Sequence, residues 1–242
     1  MRQHRIYQNV PLSPHEKLTM DEEASHYIIH VLRLNKNHPL ILFNGDGRDY
    51  PATISRIEKR HVSIEISDSV EKNLESPLLL HLGQVIAKGD KMDLLIQKAT
   101  ELGIREITPL YSQRCEVHLD EERLIKKMQH WQKVIISACE QCGRAVLPEL
   151  FTPQRVENWV GGVATQSKFV LDPLAKVGFK SQPSFSSATL LIGPEGGLTR
   201  EEIDLAIKYG FVSVSLGPRI LRTETAGLTA ITCLQFLAGD LG

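Results

Sequence analysis

The residues best equipped for chemistry lie near the end of the chain, in Leu216-Gly217-Pro218-Arg219-Ile220-Leu221-Arg222-Thr223-Glu224-Thr225-Ala226-Gly227. Gly and Pro bend the backbone, and two arginines, a carboxylate and two hydroxyls follow within a few positions. Arg222 offers a planar, permanently charged fork of donors. Glu224 stands near a helix start, where the dipole favours its ionised form and makes it a modest base, and Thr223 is placed to cap that helix. Convergent polar groups at a strand end, just before a helix, are how an open α/β sheet makes a ligand site. A second such stretch is Gly193-Pro194-Glu195-Gly196-Gly197, whose glycines let backbone approach a ligand or another segment closely.

Both stretches need elements to hold them. Phe211 to Leu216 alternates like a half-buried strand, and Ala230 to Leu237 has helical spacing with Gly239 as its stop. Leu190-Leu191-Ile192 reads as a buried strand leading into the second loop. Thr199 with Glu202 makes a capping box and Leu198 with Ile203 a hydrophobic staple, so a helix is expected from about Arg200.

At 242 residues the chain holds one large domain or two smaller ones. The hydrophobic fraction is 42% and the charged fraction 24%, an ordinary globular composition. A net charge of −1 requires any nucleic-acid partner to be met by a local patch rather than by bulk attraction. No signal-like segment and no apolar run of membrane-spanning length is present, so a cytoplasmic protein with no membrane partner is expected. Cys139 and Cys142 form a C-x-x-C pair inside a helical series that includes Trp131, Ile135 and Ala138. No second Cys/His pair completes a zinc site, and a redox pair belongs at a helix start after a strand. They are read as core residues, with no metal.

In chain order, the first part carries short β signals at Pro39 to Phe43, Asp49 to Ile57 and Val62 to Ile66, with a helix between Asp21 and Leu34. This small unit, expected to be a barrel, contains six of the nine histidines, too dispersed for a metal site. Arg2, Arg5, Arg33, Lys36, Lys59 and Arg60 are candidates for a basic face. Glu71 to Pro77 is the best linker, giving expected domains over 1–72 and 73–242. Beyond it strands alternate with helices: Leu78 to Ala87, a helix capped by Asp90 and ended by Gly103, then Ile104 to Leu110 stopped by Pro109. The Trp131 helix and the strand Lys168 to Leu171 follow. That order predicts a parallel sheet with helices on both faces.

There is no G-x-x-x-x-G-K-[ST] loop and no G-x-G-x-x-G after the first strand, which argues against a phosphate-cradling NTPase and an ordinary dinucleotide fold. The two late loops, taken together, resemble the RsmE-type 16S ribosomal RNA uridine N3-methyltransferases of the SPOUT superfamily. The resemblance extends to Lys88-Gly89-Asp90-Lys91-Met92-Asp93, Gln97 to Gly103, Glu140-Gln141-Cys142-Gly143-Arg144 and His30-Val31-Leu32-Arg33-Leu34. Leu198, where an aromatic is frequent, and His130, where Arg is common, depart from the pattern.

The resemblance implies a SPOUT-type fold with a trefoil-knotted parallel sheet, preceded by a PUA-like β-barrel that helps bind RNA. It implies a homodimer that uses S-adenosylmethionine (SAM) to methylate N3 of a uridine in the decoding region of 16S rRNA. By motif, the cofactor-binding residues are Leu171, Asp172, Gly193, Pro194, Glu195, Gly196, Gly197, Leu216, Gly217, Ile220, Leu221, Arg222, Thr225 and Ala226. Arg2, Arg5, Arg33, Lys88 and Arg144 become the RNA-binding candidates. Uridine N3 carries a proton, so a base or an anion stabiliser is useful, and Arg222 and Glu224 are the catalytic candidates. An RNA-binding or assembly factor without activity would show degraded cofactor loops, and these are intact. A SPOUT enzyme acting on transfer RNA or ribose is the other reading, against which the resemblance of the first unit and of Gln97 to Gly103 argues.

Overall fold

The computed structural model describes residues 3–179 and 184–242, and the chain divides into two units. The first runs through Glu75 and takes in Cys139–Leu147 as well; the second comprises Ser76–Ala138 and Pro148–Gly242.

The first unit is a six-stranded sheet of β1 (His4–Tyr7), β2 (Lys17–Thr19), β3 (Pro39–Phe43), β4 (Arg48–Ile57), β5 (Val62–Ile66) and β6 (Val70–Glu71). Its order is β1-β3-β4-β5-β2, with β6 also on β4. β1 runs parallel to β3, and the remaining pairs are antiparallel. Alternation decides which face is buried: Val62, Ile64 and Ile66 join the core with Leu40, Leu42 and Ile54, while Glu65 points out. The helix expected between Asp21 and Leu34 begins as α1 (Glu22–His26), whose first turn Asp21 caps by accepting from the Ala24 amide at 2.7 Å. It then widens into a π-helical turn over Tyr27–Val31.

The second unit contains β7 (Leu79–Val85), α2 (Lys91–Glu101), β8 (Glu106–Tyr111), α3 (Glu121–Cys142), β9 (Glu149–Leu150) and β10 (Gln154–Arg155). There follow α4 (Val156–Gly162), β11 (Ser167–Leu171), β12 (Ser187–Ile192), α5 (Arg200–Lys208), β13 (Val212–Val214) and α6 (Thr223–Ala238). The last turn of α3, from Cys139, belongs to the first unit. The sheet order is β10-β8-β7-β12-β11-β13, with β9 also on β8, and every pair is parallel. Parallel strands need both faces covered, which explains the apolar runs of β7 and β12. Gly83 lets the sheet meet a helix, since a Cβ there would stand 2.2 Å from the Trp159 ring of α4. Gly227 does the same for α6, where a Cβ would lie 2.8 Å from Leu95 of α2.

Three local expectations change. Pro109 does not end its strand; β8 continues to Tyr111. Leu110 turns its carbonyl to Ile86 and Ile107 its carbonyl to Phe151, so the Pro109 nitrogen faces the gap between the short strands β9 and β10, where no ladder bond is lost. Asp90 occupies the cap position of α2 without a side-chain capping bond. Thr223 is the first helical residue of α6 rather than its cap, a position held by Arg222. No helix among the described residues is long and apolar enough to cross a membrane.

Candidate functional site

In an open parallel sheet the loops beyond the carboxyl ends of the strands share one edge, and ligands bind there. The ends of β11, β12 and β13 obey this. The segments after them line a cavity of about 740 Å³, a volume within the range of small-molecule sites. Among the residues singled out from sequence, Leu171 and Asp172 line it after β11, and Gly193 to Gly197 after β12. Ile220, Leu221, Arg222 and Ala226 come from the loop after β13 and the start of α6. Leu216, Gly217, Glu224 and Thr225 are not among its lining residues.

The glycines of the second loop serve different ends. A Cβ on Gly193 would stand 2.8 Å from the Leu198 amide nitrogen and 3.0 Å from the Gly197 carbonyl carbon, so the chain doubles back on itself there. Gly197 has a φ of 68°, which side chains other than glycine's rarely tolerate. The capping box expected from the sequence then starts α5: Thr199 Oγ1 accepts from the Glu202 amide at 3.2 Å, and Glu202 accepts from the Thr199 amide at 2.7 Å.

Polar side chains fasten the loops. Thr223 Oγ1 donates to the Gly193 carbonyl at 2.7 Å and accepts from Gln84 Nε2 at 3.0 Å. Arg114 Nη1 donates to the Gly196 carbonyl at 3.0 Å. Asp172 is buried; it accepts from the Leu174 amide at 2.9 Å and from Ser213 Oγ at 3.0 Å, and Arg200 stands 3.6 Å away. Glu195 accepts from Lys91 Nζ at 2.8 Å and from the Lys88 amide at 3.1 Å. Burial pushes its carboxyl up, but Lys91 and the backbone amides outweigh that and hold it below the ordinary value. Arg222 and Glu224 form no ion pair with each other, and Glu224 Oε2 is buried without a hydrogen-bond partner among the described residues.

Gln84, Lys91, Arg114 and Arg200 were missed as site residues. The signal for Lys91 and Arg114 was their place just past the carboxyl ends of β7 and β8; Gln84 is a polar interruption of an apolar strand.

Of the RNA-binding candidates, Arg5 and Arg144 meet within the first unit, where Arg5 Nη2 donates to the Arg144 carbonyl at 3.1 Å. Arg2 lies outside the described residues. Arg5 donates to both carboxylate oxygens of Asp49 at 2.5 Å, with side-chain exposures of 9% and 4%. Arg144 is buried against Glu75. Both side chains are held in ion pairs within the first unit, while Arg5 Nε has no hydrogen-bond partner among the described residues. Arg33 is exposed, with a left-handed φ of 55°. Lys88 is exposed and pairs with Glu116, whose hydrogen bond raises the lysine pKa. Cys139 is buried, and its hydrogen bond with Cys142 together with desolvation pushes the thiol up, away from reactivity. Among the described residues no cluster of His, Cys, Asp and Glu gathers as metal ligands would.

A parallel sheet with a glycine-lined cavity at its carboxyl edge, preceded by a small β unit, defines a class that comparison with known families makes explicit. Residues 74–235 match the RNA methyltransferase domain, and residues 21–67 match the RNA methyltransferase PUA domain. The ribosomal RNA small subunit methyltransferase E of Buchnera aphidicola subsp. Schizaphis graminum is 42% identical, covering 98% of this chain and 97% of that protein. A protein from Legionella pneumophila, solved in complex with the bound cofactor SAM, superposes with a TM-score of 0.97 at 43% identity over 100% of both chains. The Neisseria gonorrhoeae ribosomal RNA small subunit methyltransferase E bound to S-adenosyl methionine gives 0.93 at 34% identity, again over 100% of both. The chain belongs to the ribosomal RNA small subunit methyltransferase E family.

Proposed function

We propose that this protein is a cytoplasmic, SAM-dependent methyltransferase that methylates N3 of a uridine in the decoding region of 16S rRNA. The observation that carries this reading is the cavity at the carboxyl edge of the second unit, bounded by the two loops singled out from sequence and by Leu171 and Asp172. The relatives whose structures hold SAM match this chain end to end.

The cavity suits such a cofactor. Backbone of Gly193 to Gly197 lies along it, and the contact a Gly193 Cβ would make keeps that backbone bare. Leu171, Leu198, Ile203 and Ile220 supply apolar walls, and the anionic Glu195 offers an acceptor for cationic groups. When bound, SAM supplies a methyl group already activated on a sulfonium, so the protein's task is alignment and removal of the N3 proton. Arg222, at the cavity wall, is assigned to a phosphate of the nucleotide or to negative charge spreading onto the uracil oxygens. Glu224, which does not line the cavity but whose Oε2 has no hydrogen-bond partner among the described residues, is assigned as the base. Arg2, Arg5, Arg33, Lys88 and Arg144 stay the RNA-contacting candidates of this proposal, with Arg33 and Lys88 exposed, and the knotted threading of the second unit is part of it.

A homodimer belongs to the same reading. It is supported by α6, which leaves Phe236 66% and Leu237 45% exposed although the rest of the helix is strongly apolar. The test of the function is a map of N3-methyluridine in 16S rRNA from a strain lacking this protein, with restoration by the purified protein, SAM and small ribosomal subunits. Loss and restoration of one modified uridine is expected. An unchanged modification pattern would refute the proposal.

A further inference from the structure

We infer that Gln84 and Thr223 are positioning residues that hold the two loops of the cavity in register, and so set both cofactor affinity and the aim of Arg222. The inference rests on the reading that the cavity takes SAM.

Gln84 has no exposed surface, and it sits in β7 among the buried Leu80, Leu82 and Val85. A carboxamide in such a place is costly unless its hydrogen bonds are made. Its Nε2 makes them: one to the Val85 carbonyl at 2.8 Å and one to Thr223 Oγ1 at 3.0 Å, with the Gly193 carbonyl at 3.5 Å. Its Oε1 finds no partner among the described residues. An apolar side chain would fill this volume without that unpaired acceptor, so what the position gains from glutamine is its donors.

One of those donors reaches Thr223. Thr223, 5% exposed, accepts a hydrogen bond from Gln84 Nε2 on its oxygen and donates one from its hydroxyl to the Gly193 carbonyl at 2.7 Å. The chain therefore runs Gln84 N–H to Thr223 O–H to Gly193 C=O. It joins three segments distant in sequence: the end of β7, the turn after β12 and the first turn of α6. Gly193 is where that turn folds back against Leu198, so its carbonyl direction fixes the cradle. Thr223 is flanked by Arg222 and Glu224, so anchoring its side chain also fixes where those two side chains leave the backbone. No side chain on the exposed part of either loop ties the two loops together among the described residues.

Thr223→Val keeps the shape and removes the hydroxyl; Thr223→Ser keeps the hydroxyl; Gln84→Leu removes the amide. Each full-length variant is compared with wild type by calorimetry with SAM, by steady-state methylation of small ribosomal subunits over a SAM series, and by thermal unfolding, with assays run well below every melting temperature. Thr223→Val is expected to raise both Kd and KM for SAM by about tenfold and to lower kcat at saturating SAM, the scale of losing hydrogen bonds in a buried site. Gln84→Leu should follow the same pattern, and Thr223→Ser should recover most of the lost affinity. If Thr223→Val and Gln84→Leu melt at lower temperature but keep the wild-type Kd and kcat, the pair only stabilises the fold and the inference fails. A serine variant as impaired as the valine one also overturns it. A wild type that does not bind SAM removes the cofactor reading itself, and is recognised before any variant is compared.

Discussion

Alanine at each of the three glycines of the β12 loop should have a different effect, and Gly193→Ala separates the physical reasons. Its Cβ would lie 2.8 Å from the Leu198 nitrogen, 3.0 Å from the Gly197 carbonyl carbon and 3.0 Å from Leu198 Cγ. Two of these atoms are backbone and cannot rotate away, so the turn has to open. Overpacking of this kind costs about 1–3 kcal/mol. For a domain of this size that is a fall of about 2–12 °C in Tm, at roughly 2–4 °C per kcal/mol. Gly196 is the contrast: the nearest atom to its would-be Cβ is Arg114 Cβ at 3.6 Å, an ordinary contact. Gly196→Ala should leave stability within about 0.5 kcal/mol of wild type, because nothing has to move. At Gly197 the space is open but the φ of 68° is left-handed, so alanine there should cost about 1–2 kcal/mol through backbone strain alone. Thermal unfolding of the three variants, with calorimetry on SAM for Gly193→Ala, tests the ranking. A Gly193→Ala protein as stable as Gly196→Ala, with unchanged SAM affinity, would refute the claim that the turn needs a bare backbone at 193.

Arg222→Ala should lower turnover by about 100-fold with SAM affinity nearly unchanged if the guanidinium acts on the transition state; near-normal turnover on saturating subunits would remove it from the mechanism. His81 is largely but not fully buried, and desolvation holds its pKa at about 4, outweighing Glu106 Oε2 at 3.3 Å from Nδ1. The folded-state value lies below the unfolded one of 6.5, so the unfolded chain binds the proton more readily. Stability from this group is full above pH 6.5 and is lost as pH falls towards 4, by about 3 kcal/mol in all; equal denaturation midpoints for wild type and His81→Gln at both ends of that window would count against it. Arg5→Met leaves Asp49 buried, with Lys72 Nζ at 3.6 Å as its remaining cation, and should destabilise the first unit by about 3 kcal/mol. A loss of RNA affinity at unchanged stability would show instead that Arg5 serves RNA binding. Light scattering at micromolar concentration should find a dimer, and a monomer would exclude it.

The sequence by itself determined the elements and the two loops of the site, because each carries a local signal. Period-two alternation marked Val62 to Ile66 as a strand, the Thr199 and Glu202 pair marked the start of α5, and clustered glycines marked the turn after β12. Local signals also set two traps. Pro109 reads as a stop until the sheet shows that its nitrogen faces a gap between β9 and β10. Thr223 reads as a helix cap until its hydroxyl is seen on the Gly193 carbonyl.

What only the tertiary structure decided are relations between distant positions. Nothing in the residue types of Arg5 and Arg144 distinguishes a cation offered to RNA from one held by Asp49 or Glu75. The difference lies in which carboxylate the fold brings alongside, and at what burial. Gln84 looks like an accident in an apolar strand until β7, the Gly193 turn and α6 meet around it. Parallel order sets these meetings: β12 lies between β7 and β11 in the sheet although more than a hundred residues separate it from β7 in the chain. The carboxyl edge therefore gathers loops with no common local signal. A pattern along the chain reports a residue's own conformational preference, whereas a site of this kind is made by the partners that long-range strand pairing supplies.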